Sequence, residues 1–188
     1  FIKIDSLIKK EKPDIIFHLA AQSIVSESFS NPIGTIKTNT LGSTNILESV
    51  KKNKIKNLVF ITSDKCYLNI NTRKPYKEKD LLGGHDIYSS SKAAAEILFH
   101  SYHDSFFILQ AKNLKKVTAR AGNVIGGGDF KINRVIPDFF RSVFKKKKLV
   151  IRNPLATRPW QHVLEPLSGY LILGEKILNN KLKNNLYP

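Results

Sequence analysis

Apolar residues in this chain come in two patterns: short unbroken runs, and longer stretches where they recur every three or four positions. Ile15 to Ala20, Leu58 to Thr62 and Lys116 to Arg120 are of the first kind, too short for helices, so each predicts a buried strand. The second kind predicts helices. Ile4, Leu7 and Ile8 mark the tail of an amphipathic helix over Ile2 to Lys12, stopping before Pro13. Ser30-Asn31-Pro32 reads as a helix start that runs to about Lys52, burying Ile33, Ile36, Ile46, Leu47 and Val50. After the Leu58 strand a polar loop reaches about Asp86. A helix from Tyr88 to about His103 packs through Ala94, Ala95, Leu98, Phe99 and Tyr102, and another from Arg134 to Lys147 turns Val135, Ile136, Phe139, Phe140, Val143 and Phe144 inward. A short strand is expected at Leu149 to Ile151, a loop or strand entry at Arg158 to Val163, and a last helix from Glu165 to Leu182.

Strands alternating with helices imply an α/β fold, a doubly wound parallel sheet with right-handed crossovers. Ala20-Ala21, Ser63-Asp64 and Ala121-Gly122-Asn123 all fall just past strand carboxyl ends, where such a sheet gathers its ligand-binding groups in one crevice. The usual glycine-rich phosphate turn does not precede the first strand. Gly126-Gly127-Gly128 follows a late strand and serves better as a flexible connection near a substrate.

The strand at Leu58 ends abruptly in Ser63, Asp64 and Lys65: a hydroxyl, a carboxylate and an ammonium. Tyr88 and Lys92 stand four apart, which places both on one face of a helix. A phenol titrates near ~10, and an adjacent cation favours its phenolate. Ser63, Tyr88 and Lys92 therefore form a candidate proton-transfer unit for a sugar or alcohol carbon, with Asp64 and Lys65 as further acid/base groups.

Composition narrows the picture. At 188 residues, 41% hydrophobic and 24% charged, the chain suits one substantial globular core. It has no apolar run long enough to span a bilayer, so no membrane role is expected. The single cysteine, Cys66, rules out an internal disulfide framework and fits a reducing cytoplasm. The sequence contains no Met and opens Phe1-Ile2-Lys3, so it reads as an internal fragment. Thirty-one Lys and Arg against fifteen Asp and Glu give a formal charge of +16. Much of this excess lies in Lys-Asn runs at helix ends, without interleaved aromatics, which argues for a phosphate-bearing small substrate over nucleic acid.

Several segments carry a resemblance: Pro13 to Gln22, Thr62 to Tyr67, Gly83 to Lys92, Ala119 to Asp129 and Ile151 to Tyr170. In them the chain resembles the extended short-chain dehydrogenase/reductases and, within these, the CDP-glucose 4,6-dehydratases. The resemblance implies a Rossmann-like fold without its first strands, residues 1–122 forming part of an NAD-binding domain. Residues 123–188 would contribute to a small sugar-nucleotide lobe.

It also implies roles. Tyr88 would take the proton of the sugar 4-hydroxyl, Lys92 would support the phenolate and the nicotinamide ribose, and Ser63 would hold the developing carbonyl. Asp64 would protonate the departing 6-hydroxyl. Lys65 stands where dTDP-glucose dehydratases place a Glu, and is either the C5 base or an electrostatic support for the enolate. Ala20, Ala21, Gln22 and Thr38, with Tyr88 and Lys92, would line NAD. His85, Asn123, Arg134, Arg158 and, more weakly, Arg152 would meet the nucleotide sugar, CDP-glucose. Asn39 reads as a structural residue bonding to an adjacent strand, His18 as a core residue, and Arg120 as either a buried ion-pair partner or a ligand. His100 and His103 lack a third ligand, so no metal is expected. A homodimer or higher homo-oligomer, paired through long helices, is implied for the whole protein, with a place in polysaccharide biosynthesis. The alternatives are a nucleotide-sugar 4-epimerase on the same fold or a non-catalytic basic binding fragment.

Overall fold

A computed structural model of the chain describes residues 1–70, 74–109 and 115–182. Residues 71–73 of the expected polar loop, and 183–188, lie outside them. In chain order the elements are α1 (Ile2–Glu11), β1 (Ile15–His18), α2 (Val25–Ser30), α3 (Pro32–Ile36), α4 (Gly42–Lys52), β2 (Asn57–Ile61), α5 (Ile87–Tyr102), β3 (Lys115–Ala119), β4 (Asn123–Ile125), α6 (Val135–Phe144), β5 (Trp160–His162) and α7 (Leu164–Leu178). The described residues form two compact units, one from residues 1–121 with 169–182 and one from residues 122–168.

In the first unit β1, β2 and β3 make a parallel sheet with β2 in the centre. Pleating sends alternate residues of β2 to opposite faces. Leu58 and Phe60 pack with Ile8, Leu47, Val50, Ala95 and Phe99 from α1, α4 and α5, and Phe60 and Phe99 meet at 5.4 Å. Val59 and Ile61 pack on the other side with Phe17, Val117, Leu173 and Ile177. Both faces of the sheet are thus covered, the arrangement expected of a doubly wound sheet. Residues 169–182, grouped with the C-terminal region in the sequence reading, belong to this unit. Gly174 of α7 lies so close to β1 that a Cβ there would stand 2.5 Å from Cζ of Phe17.

The helix expected from Pro32 to Lys52 is continuous but not uniform. Asn31 caps it, accepting the Gly34 amide at 2.9 Å, and a π-helical turn occupies Lys37–Leu41. Ile46, Leu47 and Val50 are buried as predicted, whereas Ile33 and Ile36 are exposed. The extra residue of a π-turn rotates the helix before it relative to the helix after it, so one apolar stripe cannot face the sheet along the whole length. Instead the turn buries the polar Asn39. α2 was not foreseen, its short polar sequence carrying no periodic signal.

In the second unit β4 and β5 pair in parallel. The run Leu149 to Ile151 forms no strand, since three apolar residues without a neighbouring strand have nothing to bond. α6 forms where expected, but its apolar side is not covered: Val135, Phe139, Phe140, Val143 and Phe144 are all exposed, and no α6 residue is buried.

Candidate active site

The strand β2 leaves the sheet through Thr62 and turns sharply. Ser63, in extended conformation, caps a single 3-10 turn over Asp64–Cys66, its Oγ accepting the Lys65 amide at 3.2 Å and donating to Asp64 Oδ1 at 3.1 Å. The turn is also tied to the end of β3, because the Thr62 and Asp64 amides donate to the Ala119 and Ala121 carbonyls, each at 2.9 Å. Four backbone and side-chain bonds therefore fix where Ser63 and Asp64 can be. Lys65 is half-buried beside them.

α5 packs directly against this turn. Its start is set by Asp86, which accepts the Ser89 amide at 2.9 Å and the Ser89 hydroxyl at 2.7 Å. Gly84 is pressed onto the first turn of the helix: a Cβ there would lie 2.4 Å from the Ser90 nitrogen. Tyr88 and Lys92 are both 7% exposed, so the pair predicted from spacing is a buried one. Burial lowers the pKa of the Lys92 ammonium from its ordinary value, while the nearby Glu96 carboxylate acts in the opposite direction. Burial pushes the Cys66 thiol itself up to about 12, so it is a neutral, unreactive neighbour.

Of the residues expected to line NAD, Ala20 is exposed and Ala21 half-buried just past β1. Gln22 is held by the protein on every side: Asn39 Oδ1 accepts its amide at 2.8 Å, Asn39 Nδ2 donates to its carbonyl at 3.0 Å, and its Nε2 donates to Thr35 Oγ1 at 2.9 Å. Asn39 also donates to Ser91 Oγ at 3.0 Å, one residue from Lys92. It joins the loop after β1 to α5 rather than to an adjacent strand. Thr38, its neighbour, is exposed on the π-turn. His18 is buried at the end of β1, its Nε2 3.1 Å from Ser43 Oγ. Burial first, and then the positive charge of Lys92, lower its pKa to about 4, so it is neutral near pH 7.

Arg120 is an ion-pair partner. Its Nε and Nη2 donate to Glu96 Oε1 at 3.1 and 2.9 Å, and its guanidinium lies 4.8 Å over the Tyr67 ring. Glu96 is fully buried and also accepts the Thr62 hydroxyl. Burial resists its ionisation, but His100, Thr62 and Arg120 together overcome that and hold it down to about 2. The sequence reading did not single out Glu96. The signal was there in the fourfold spacing of Tyr88, Lys92 and Glu96, which puts all three on one helix face.

The residues expected to meet a nucleotide sugar bond mainly to the protein itself. His85 is exposed, with Nε2 3.0 Å from the Asn69 carbonyl oxygen. Asn123, Arg134, Arg152 and Arg158 all belong to the second unit. Arg134 pairs with Asp129 at 2.7 Å, Arg152 donates to the Asn133 carbonyl at 2.9 Å, and Arg158 donates to the Thr157 carbonyl at 2.6 Å. No group of three metal-ligating side chains occurs among the described residues, and none of the described helices is long and apolar enough to cross a membrane.

The fold of this chain has counterparts among known proteins. Residues 2–184 match the NAD dependent epimerase/dehydratase family, and the chain belongs to that family. It is 44% identical over 187 residues to the CDP-glucose 4,6-dehydratase of Salmonella typhimurium, covering 97% of this chain and 52% of that protein. Among solved structures, a UDP-N-acetylglucosamine 4-epimerase from Methanobrevibacter ruminantium, in complex with UDP-N-acetylmuramic acid, superposes with a TM-score of 0.78 at 27% identity. It covers 92% of this chain and 54% of its own. A dTDP-glucose 4,6-dehydratase from Bacillus anthracis in complex with NAD does so with a TM-score of 0.75 at 25% identity, over 92% of this chain and 51% of its own. The chain thus spans about half the length of the relatives it matches.

Proposed function

We propose that this chain carries the catalytic residues of an NAD-dependent CDP-glucose 4,6-dehydratase. The packing of the Ser63–Asp64–Lys65 turn against the helix bearing Tyr88 and Lys92 is the observation that supports this reading most directly. The residues suit the nicotinamide end of NAD. Lys92 offers a nearly enclosed ammonium next to Tyr88, and the small Ala20 and Ala21 let a flat ligand approach the strand end. NAD, when bound, supplies the hydride acceptor at C4 and the hydride donor at C6.

Tyr88, as the phenolate that the Lys92 ammonium stabilises, removes the proton of the 4-hydroxyl and becomes the neutral phenol. Ser63 holds the oxygen that becomes the 4-keto group. That ketone acidifies the C5 hydrogen, and Asp64 protonates the departing 6-hydroxyl as water leaves. Lys65 takes the C5 proton or supports the enolate. Asn123, Arg134, Arg152 and Arg158 bind the nucleotide diphosphate, for which guanidinium forks are suited, while His85 reaches the hexose and Gln22 and Thr38 border the cofactor. The working protein is a cytoplasmic homo-oligomer. Exposed Phe29, Ile33 and Ile97 in the α2–α3 and α5 region support pairing between copies.

The same-fold alternative is a 4-epimerase, favoured by the 4-epimerase superposition. An epimerase has no use for Asp64 as an elimination acid. Incubating the complete gene product with CDP-glucose and NAD should yield a 4-keto-6-deoxy sugar, and Asp64→Asn should lose that product. Formation of the C4 epimer instead, or full dehydration by the Asp64→Asn protein, would exclude the proposal.

A further inference from the structure

The reaction above needs two groups of residues in fixed register: the turn after β2, and the face of α5 that bears Tyr88 and Lys92. They are far apart in sequence, and backbone bonds tie the turn to β3, not to α5. A direct side-chain strut between strand end and helix, among the described residues, is the Thr62 hydroxyl donating to Glu96. Both ends are enclosed, Thr62 at 6% exposure and Glu96 at 0%. Thr62 immediately precedes Ser63, and Glu96 lies one helical turn beyond Lys92.

A buried carboxylate is costly unless other groups hold it in place. Here Arg120, at the end of β3, holds Glu96 by two nitrogens on one oxygen and is itself fixed by the Glu78 carbonyl at 2.9 Å and the Tyr67 ring. Thr62, Glu96 and Arg120 stand outside the set of residues proposed above to touch substrate or cofactor. Their arrangement joins the ends of β2 and β3 to one point on α5.

We propose that Glu96, anchored by Arg120, is a positioning residue for the reaction: through the Thr62 hydroxyl it holds the Ser63–Asp64–Lys65 turn in register with Tyr88 and Lys92. The inference rests on the dehydratase reading. A charge-assisted bond in a dry interior is short and directional, which suits a strut. A misplacement of the order of ~1 Å in such a site can cost up to about a hundredfold in rate.

The test uses the complete gene product with CDP-glucose and NAD. Thr62→Val removes the donor while keeping the side chain's shape, and Thr62→Ser keeps the hydroxyl. Thr62→Val and Glu96→Gln are expected to lower kcat roughly tenfold with KM within about twofold, and Thr62→Ser to restore most of kcat. Hydrogen exchange at the Thr62 and Asp64 amides should quicken in Thr62→Val, while exchange in α1 stays as it was. If Glu96→Gln fails to fold, the Thr62 pair decides alone. Equal kcat for Thr62→Val and Thr62→Ser, or a kcat loss matched by a rise in KM or by a general gain in exchange, would overturn the inference alone. No dehydration by the unsubstituted protein would overturn the functional reading and this inference with it.

Discussion

The two units make the same kinds of interaction in opposite settings. Glu96 and Arg120 in the sheet unit pair with side chains 0% and 7% exposed, whereas Asp129 and Arg134 in the second unit pair with side chains 28% and 36% exposed. Removing a partner from a buried pair leaves an uncompensated charge and costs about 3–5 kcal/mol, while an exposed pair contributes ~0–1 kcal/mol. Aromatics divide the same way. Phe60 and Phe99 are enclosed between sheet and helices, and Phe139, Phe140 and Phe144 of α6 face outward. The lesson is that an amphipathic pattern fixes which side of a helix is apolar, but burial depends on what the rest of the fold brings against that side.

Substitutions can probe this contrast. The largest effect expected is on chemistry: Tyr88→Phe in the complete gene product should lower kcat by about 10²–10⁴-fold with a melting temperature near that of the parent, measured by product formation and thermal unfolding. Next comes Phe60→Ala, expected to destabilise by about 3–5 kcal/mol in urea unfolding, because it empties the centre of the core.

An intermediate effect should follow acidification. His18 has its pKa lowered to about 4 from 6.5, chiefly by burial. The unfolded state then binds a proton below about pH 6.5 that the folded state refuses until about pH 4, so stability falls as pH falls through that window. Between pH 7 and pH 5 the loss from this group is about 2 kcal/mol, and His18→Asn should abolish that part of the pH dependence. The smallest effect is expected in the second unit. Phe144→Ala, at a residue 82% exposed, should change stability by under about 0.5 kcal/mol. A cost near that of Phe60→Ala would mean that α6 is covered in solution and would break the comparison.

Much of the site was legible because it is encoded locally. The four-residue spacing of Tyr88 and Lys92 fixes a shared helix face wherever the helix sits, and an apolar run ending in Ser63-Asp64-Lys65 marks a strand delivering polar groups to a sheet edge. Arg120 was narrowed to ion pair or ligand, and the structure supplies the pair. Harder to read were features that depend on distant partners: the π-turn that buries Asn39 against Gln22 and Ser91, the burial of Glu96, and the outward-facing apolar residues Ile33, Ile36 and Phe139.

The sequence by itself determined the three strands of the covered sheet and most of the helices, the polar groups at the strand ends and the face shared by Tyr88 and Lys92, because these arise from backbone periodicity over a few residues. Tertiary structure alone decided that Thr62, Glu96 and Arg120 form one buried network, and which apolar faces lie inside. Hydrogen bonds and burial between segments far apart in the chain depend on three-dimensional proximity, which no local pattern of residue types contains.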